Sequence, residues 1–138
     1  MGKWWLIVVL AASLLIISIA KAHDYQRPDL NFWYDSLRQP DNEMAGCCGR
    51  ADAYFADIVD ECLEGDGVVA AFPVPCFMVA IITDERTVPG RPPIAVGTRI
   101  AIPQRKIRKV PSANPTDHNV IFIGTNGYVY CWEPTALL

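Results

Sequence analysis

Residues 120–132 read Val-Ile-Phe-Ile-Gly-Thr-Asn-Gly-Tyr-Val-Tyr-Cys-Trp. Two runs of apolar, β-favouring residues, 120–123 and 128–132, lie on either side of a turn that ends in Asn126-Gly127. Asn-Gly is the dipeptide most typical of tight β-hairpins, because both residues tolerate a positive φ. This stretch therefore predicts an antiparallel hairpin.

The chain upstream of this hairpin has the same character. Residues 76–83 form a short apolar run, and residues 98–102 form another that ends at Pro103. Between them lies a loop rich in proline and glycine, residues 84–96. Short strands divided by such turns predict a mostly β protein, built as a small antiparallel sheet or barrel.

One short helix is predicted near the start of the folded part. Asp29 is placed to cap it and Pro40 to end it. Its apolar residues recur at helical spacing, and they are Leu30, Trp33, Tyr34 and Leu37.

Residues 51–64 fit two structures. Apolar pairs such as Tyr54-Phe55 and Ile58-Val59 favour a helix with an acidic face, and periodicity alone prefers that interpretation. The following Gly65-Asp66-Gly67 also fits a tight hairpin turn, which would make the same residues a strand.

The first residues have the pattern of an export leader. Lys3 supplies the positive charge, residues 4–20 the apolar run, and Ala20-x-Ala22 the small residues of a cleavage site before His23. We expect residues 1–22 to be removed and residues 23–138 to form a single exported domain, periplasmic or extracellular. The alternative is an uncleaved anchor, in which residues 4–20 hold the domain to the inner membrane.

Charge narrows the class of partner. The formal net charge is −3, so the chain lacks the basic excess that nucleic-acid binding requires. We expect no nucleic-acid partner, no cofactor, and contact with a membrane only through the leader if that leader is retained.

Several blocks together resemble a known group of proteins. The first two are Trp33-Tyr34-x-x-Leu37 and Cys47-Cys48-Gly49-x-Ala51-Asp52-Ala53-Tyr54. Further blocks are Val79-Ala80-Ile81-Ile82-Thr83-Asp84, Gly90-Arg91-Pro92, Val96-Gly97-Thr98-Arg99 and Ile102-Pro103. The last are Asn114-Pro115-Thr116-x-His118 and Val129-Tyr130-Cys131. In order and spacing they resemble uncharacterised small exported proteins of alphaproteobacteria.

The resemblance implies a fold and no activity. It implies that residues 53–64 are a strand that turns directly into the strand at 79–83, against the periodicity. This chain departs from the pattern by an insertion at about residues 61–75, which brings Cys62 and Cys76.

Five cysteines in an exported domain predict disulfides. A bond between Cys47 and Cys48 would be strained, because neighbouring Cα atoms lie about 3.8 Å apart and disulfides prefer about 4.4–6.8 Å. The resemblance implies Cys131 as the partner of one of the two, and we expect Cys48 rather than Cys47. We also expect Cys62 and Cys76 to pair across the base of the insertion.

Two patterns suggest catalysis or metal binding. Residues 118–124 are similar to the histidine strand of cell-wall cysteine peptidases, with Cys48 or Cys47 upstream as the nucleophile. That family's Asp-Cys-Ser-Gly motif is absent. Cleavage after Ala22 would also make His23 the N-terminus, where its amine and imidazole, with His118, would suit copper.

A basic run gives the binding hypothesis. Its members are Arg105, Lys106, Arg108 and Lys109. Such a run is typically solvated, and its alternative role is contact with acidic partners, either phosphorylated lipid headgroups or the protein's own acidic half, residues 23–66. The neighbouring loop adds Asn114, Asp117 and His118. We therefore expect a non-catalytic envelope domain that acts by binding or as a structural accessory.

The leader gives the first testable prediction. Exported protein should begin at His23, because the small residues stand where processing requires them. Intact-mass measurement of exported material checks this. A mass that includes residues 1–22 would establish the anchored form.

Overall fold

The computed structural model describes residue 24 and residues 26–62, 76–88, 91–110 and 112–135. A 3-10 turn at Pro28–Leu30 leads into the one α-helix of these residues, α1 (Asn31–Ser36), and a second 3-10 turn covers Gln104–Lys106. The strands are β1 (Arg38–Gln39), β2 (Asn42–Gly46), β3 (Ala51–Cys62), β4 (Cys76–Ile82), β5 (Arg99–Ile102), β6 (Asn119–Gly124) and β7 (Val129–Glu133). The prediction of a mostly β protein with one short helix is confirmed.

β3 is the longest strand and the centre of the main sheet. The five strands lie in the order β5-β4-β3-β6-β7, and every neighbouring pair is antiparallel. Residues 51–56 of β3 pair with β6, and residues 56–62 pair with β4. The two pairings are staggered along β3 and share only Ala56, and the sheet curls into a half-barrel.

Residues 51–62 form the strand that the resemblance implies, and the strand shows why periodicity misled. Tyr54 packs in the core inside the half-barrel, whereas Phe55 packs against the core on the opposite face. A strand that is covered on both faces carries consecutive apolar pairs, and such pairs mimic helical spacing. Residues 63–64 lie outside the described residues.

Two apolar cores cover the two faces of the sheet. The helix-side core contains Leu30 and Tyr34, packed on Phe122 of β6. The barrel-side core lies inside the curve and includes Ile121 and Trp132. Burial on both faces fixes the register, since a shift by one residue would exchange the two sets of side chains.

The β6–β7 hairpin forms where Asn126-Gly127 predicts it. The Gly124 amide donates to the Tyr128 carbonyl at 2.9 Å, and the Gly127 amide donates to the Gly124 carbonyl at 2.9 Å. Gly127 adopts a φ of +77°, a conformation that favours glycine.

The disulfide joins Cys47 to Cys131, with Cα atoms 5.6 Å apart, so our preference for Cys48 is wrong. Cys47 directly follows β2, and its amide donates to the Leu37 carbonyl at 3.1 Å, which holds it against β7. Cys48 is a buried thiol in the same helix-side core.

The second predicted disulfide stays a prediction. Cys62 and Cys76 stand opposite each other in the β3–β4 register, and their side chains lie outside the described residues. The predicted leader, residues 1–22, and His23 also lie outside them. Among the residues described, none of the helices is long and apolar enough to cross a membrane.

Removal of the Cys47–Cys131 bond should cost about 4 kcal/mol of unfolding free energy, because the bond closes a loop with a sequence separation of 84. We expect that loss in Cys131→Ser. Cys48→Ala, which keeps the bond, should lose only about 1 kcal/mol. Urea denaturation of both variants measures the difference. Equal losses, or a peptide map that links Cys48 to Cys131, would contradict the assignment.

Candidate functional site

The predicted basic run is divided between surface and interior. Arg105 and Lys109 are exposed, whereas Lys106 is only 2% exposed. Arg108 is partly buried, with a side-chain exposure of 23%. The expectation of a surface side chain is therefore wrong for Lys106, which has a structural role.

Lys106 ties the second 3-10 turn to the loop between β1 and β2. Its Nζ donates to Gln39 Oε1 at 2.9 Å and to Asp41 Oδ1 at 2.6 Å, and it lies 5.2 Å from the Tyr128 ring centroid. Partial burial opposes ionisation of Asp41, but the hydrogen bond from Lys106 and the neighbouring positive charges outweigh it and lower the Asp41 pKa. Lys106 therefore contacts the protein's own acidic half, which is one of the two acidic partners that the sequence suggested for the basic run.

Arg108 forms the second internal link. Its guanidinium pairs with Glu133, and its Nη2 donates to the Arg38 carbonyl at 2.6 Å. Glu133 is fully buried and also accepts a hydrogen bond from Ser112 Oγ at 2.7 Å. Burial raises the pKa of Glu133, and the contacts with Arg108 and Ser112 only partly oppose that rise.

Above these links lies a cleft of about 800 Å³, between the β1–β2 hairpin and residues 104–110. We call it the basic cleft. Its charged lining residues are Arg38, Asp41, Glu43, Arg105, Arg108 and Lys109.

Cations are in excess in the basic cleft. Arg105 shares the Asp41 carboxylate with Lys106, at 3.3 Å from Arg105 Nε. Glu133 balances Arg108. Of the charged lining residues that are described, two cations, Arg38 and Lys109, and one acidic residue, Glu43, remain. The cleft is therefore positive although the whole chain is acidic.

The predicted loop at residues 114–118 is not part of this cleft. Asn114 is buried, and its Nδ2 donates to the carbonyls of His118 and Pro134, each at 3.1 Å. The expectation of a surface Asn114 is wrong, because its side chain fixes the loop from inside. Asp117 and His118 are exposed, and the His118 ring stacks on Phe55 with centroids 4.7 Å apart.

A buried ion cluster was missed by sequence reasoning. Arg86 pairs with Asp24 and Asp84 and lies 4.4 Å from the Phe55 ring centroid. Tyr34 Oη donates to Asp24 Oδ2 at 3.4 Å. No local pattern connects residues this far apart in the chain. The cluster holds Asp24, the first of the described residues, against the sheet.

A smaller cavity, of about 200 Å³, lies beside Asp52 and Arg91. Asp52 is buried and pairs with Arg91. Burial raises the pKa of Asp52, and the Arg91 charge opposes that rise. Asp52 and Arg91, which belong to two of the sequence blocks that carry the resemblance, thus form an ion pair.

Cys47 and Cys48, the two candidate nucleophiles, are poorly suited to catalysis. Cys47 is in the disulfide. Burial, reinforced by the charges of Asp35, Asp52 and Asp24, raises the pKa of Cys48 to about 12. A catalytic thiol needs a lowered pKa, so the cysteine–histidine hypothesis gains no support from either cysteine.

The copper hypothesis stays a prediction, because His23 lies outside the described residues. Among the residues that are described, no group of three or more His, Cys, Asp or Glu side chains is arranged to hold a metal ion.

No protein-family model, curated protein or solved structure matches the chain.

The buried lysine gives a stability prediction. Lys106→Met keeps the side-chain volume but leaves Gln39 Oε1 without its donor and Asp41 with only Arg105 beside it, so the unfolding free energy should fall by about 2 kcal/mol. Lys109→Met removes an exposed charge of the same type and should change it by less than about 0.5 kcal/mol. Denaturant titration compares the two variants. Equal effects would contradict the structural role of Lys106.

Glu133 gives a prediction about pH. Because burial raises its pKa above the ordinary 4.5, the folded protein holds the proton more tightly than the unfolded chain does. As the pH rises from 4.5 through the raised folded pKa, wild-type stability should fall. Glu133→Gln lacks this step, so its stability relative to wild type should rise over that window and then level off. A difference that is constant with pH would contradict the raised pKa.

Proposed function

We propose that this chain is a non-catalytic, exported domain of the cell envelope that binds a phosphate-bearing envelope ligand in the basic cleft. The observation that carries the proposal is the positive cleft itself, built on buried ion pairs in an otherwise acidic chain. Two of its cations, Arg38 and Arg105, carry planar guanidinium groups, which match the geometry of phosphate oxygens.

The floor of the cleft is fixed in place before any ligand arrives. Lys106 contacts Gln39 and Asp41, and Arg108 contacts the Arg38 carbonyl, so both residues tie the segment at 106–108 to the β1–β2 hairpin on the opposite side of the cleft. The conformational entropy lost on binding would then come mainly from the exposed side chains of Arg38, Arg105 and Lys109. A fixed floor with exposed cations above it favours a binding role.

Two observations support the envelope location. The first 22 residues have the pattern of an export leader. The Cys47–Cys131 disulfide is of a kind that persists in oxidising compartments such as the periplasm. The raised pKa of Cys48 supports the non-catalytic part of the proposal.

Ethyl phosphate is a suitable probe, since it carries the headgroup chemistry without a long apolar chain. We expect amide chemical-shift changes concentrated in residues 38–43 and 104–110, and weaker binding at higher salt. Lys109→Glu and Arg38→Glu should each weaken binding about tenfold. Arg50→Glu makes the same charge change at an exposed position outside the cleft and should leave binding nearly unchanged.

Several outcomes would overturn this proposal. Shifts scattered over the surface, or equal losses in Arg50→Glu and Lys109→Glu, would show that the cleft is not a specific site. Release of peptides from peptidoglycan by the wild type, lost in His118→Ala, would favour the hydrolase hypothesis. Stoichiometric copper that is lost when the N-terminal amine is blocked would favour the copper hypothesis.

A further inference from the structure

The half-barrel has an open mouth on the other side of residues 107–108. This cavity, which we call the barrel mouth, has a volume of about 380 Å³. Its apolar lining comes from Ile58, Met78, Ile107 and Trp132. Ligand pockets in proteins range over about 300–1,000 Å³, so the barrel mouth has room for one slender apolar group.

The polar groups of the barrel mouth are few and mostly satisfied. Asn119 Oδ1 accepts from the Thr135 amide at 2.9 Å, and Asn119 Nδ2 donates to the Ala56 carbonyl at 3.4 Å. The Arg108 guanidinium is held by Glu133. Asp60 is exposed at the rim. The interior therefore suits hydrocarbon rather than a polar ligand.

The barrel mouth adjoins the basic cleft. Ile107 and Arg108 line both cavities, and the backbone of this segment is bound to β7, where the Arg108 amide donates to the Trp132 carbonyl at 3.2 Å. The segment is therefore a shared wall. A ligand that crosses it would reach cations on one side and apolar side chains on the other.

Charge sets the direction in which such a ligand would lie. Asp60 lines the barrel mouth and not the cleft, so a negative headgroup is disfavoured there. Arg38, Arg105 and Lys109 line the cleft and not the barrel mouth. A negative headgroup is therefore favoured in the cleft. The apolar part of such a ligand would then extend past Arg108 toward Trp132.

From this arrangement we infer that the ligand is a single-chain phosphate amphiphile, with its phosphate in the basic cleft and its acyl chain in the barrel mouth. The inference rests on the proposed function, because the same cleft holds the headgroup. It adds the apolar half of the ligand and limits that half to one chain.

A chain-length series tests the inference directly. Octyl phosphate, kept monomeric, should bind on the order of 100-fold more tightly than ethyl phosphate, since each methylene that becomes buried is worth up to about fourfold in affinity. Octyl maltoside has the same chain without the charge and should bind far more weakly than octyl phosphate. Calorimetry or amide-shift titration measures all three ligands.

Two variants locate the chain. Ile58 lies at the rim and is 37% exposed, so Ile58→Glu should fold and should remove most of the gain from the octyl chain while ethyl phosphate binds as before. Val96→Glu makes the same change at a residue that is 56% exposed and lines neither cavity, and it should have no effect.

The outcomes separate the two proposals. If ethyl phosphate binds in the cleft and octyl phosphate binds no more tightly, the inferred acyl site is wrong and the proposed function stands. If octyl maltoside binds as tightly as octyl phosphate, or Ile58→Glu leaves the octyl gain intact, the joint site is also wrong. If no phosphate probe binds in the cleft, the proposed function itself fails.

Discussion

Three consecutive residues, Lys106, Ile107 and Arg108, connect to the β1–β2 hairpin and to β7, and Ile107 and Arg108 lie between the two cavities. Ile107 bridges to Trp132 of β7 in parallel fashion, while Lys106 and Arg108 reach acidic groups on either side of it. Partly or fully buried ion pairs of this kind add little net stability after desolvation, but a misplaced segment would leave charges buried without a partner. The pairs therefore specify position, and the position of this segment defines the basic cleft and the barrel mouth.

Short-range sequence patterns predicted those elements whose conformation is set by neighbouring residues. Asn126-Gly127 predicted the β6–β7 hairpin, because a left-handed glycine turn is specified by the turn residues themselves. Periodicity failed over residues 51–62, because the strand is covered on both faces and its apolar pairs imitate a helix. The strand itself was indicated by the turn pattern Gly65-Asp66-Gly67 and by a resemblance to other chains, against the periodicity.

The features that could not be predicted from the sequence depend on contacts between residues that are distant in the chain. Lys106 is one of several similar basic residues, and its burial depends on Asp41 and Gln39 from a distant hairpin. Arg86 and Asp24 lie in segments without periodic pattern, yet they form the buried cluster. The choice of Cys47 over Cys48 likewise depended on a hydrogen bond to Leu37, which adjacency alone does not reveal. The exposure of Arg105 and Lys109 was therefore predicted, whereas the burial of Lys106 and the position of Arg38 beside them were missed.

The central claim is that one ligand spans the segment at residues 106–108, with its charge on one side and its hydrocarbon on the other. Intermolecular nuclear Overhauser effects between octyl phosphate and the protein test this most directly. The account predicts contacts from the chain methyl group to the side chains of Met78 and Ile58. Phe32 and Met44 are the two most exposed large apolar side chains among the described residues. Contacts of the octyl chain with these two residues alone would contradict the account.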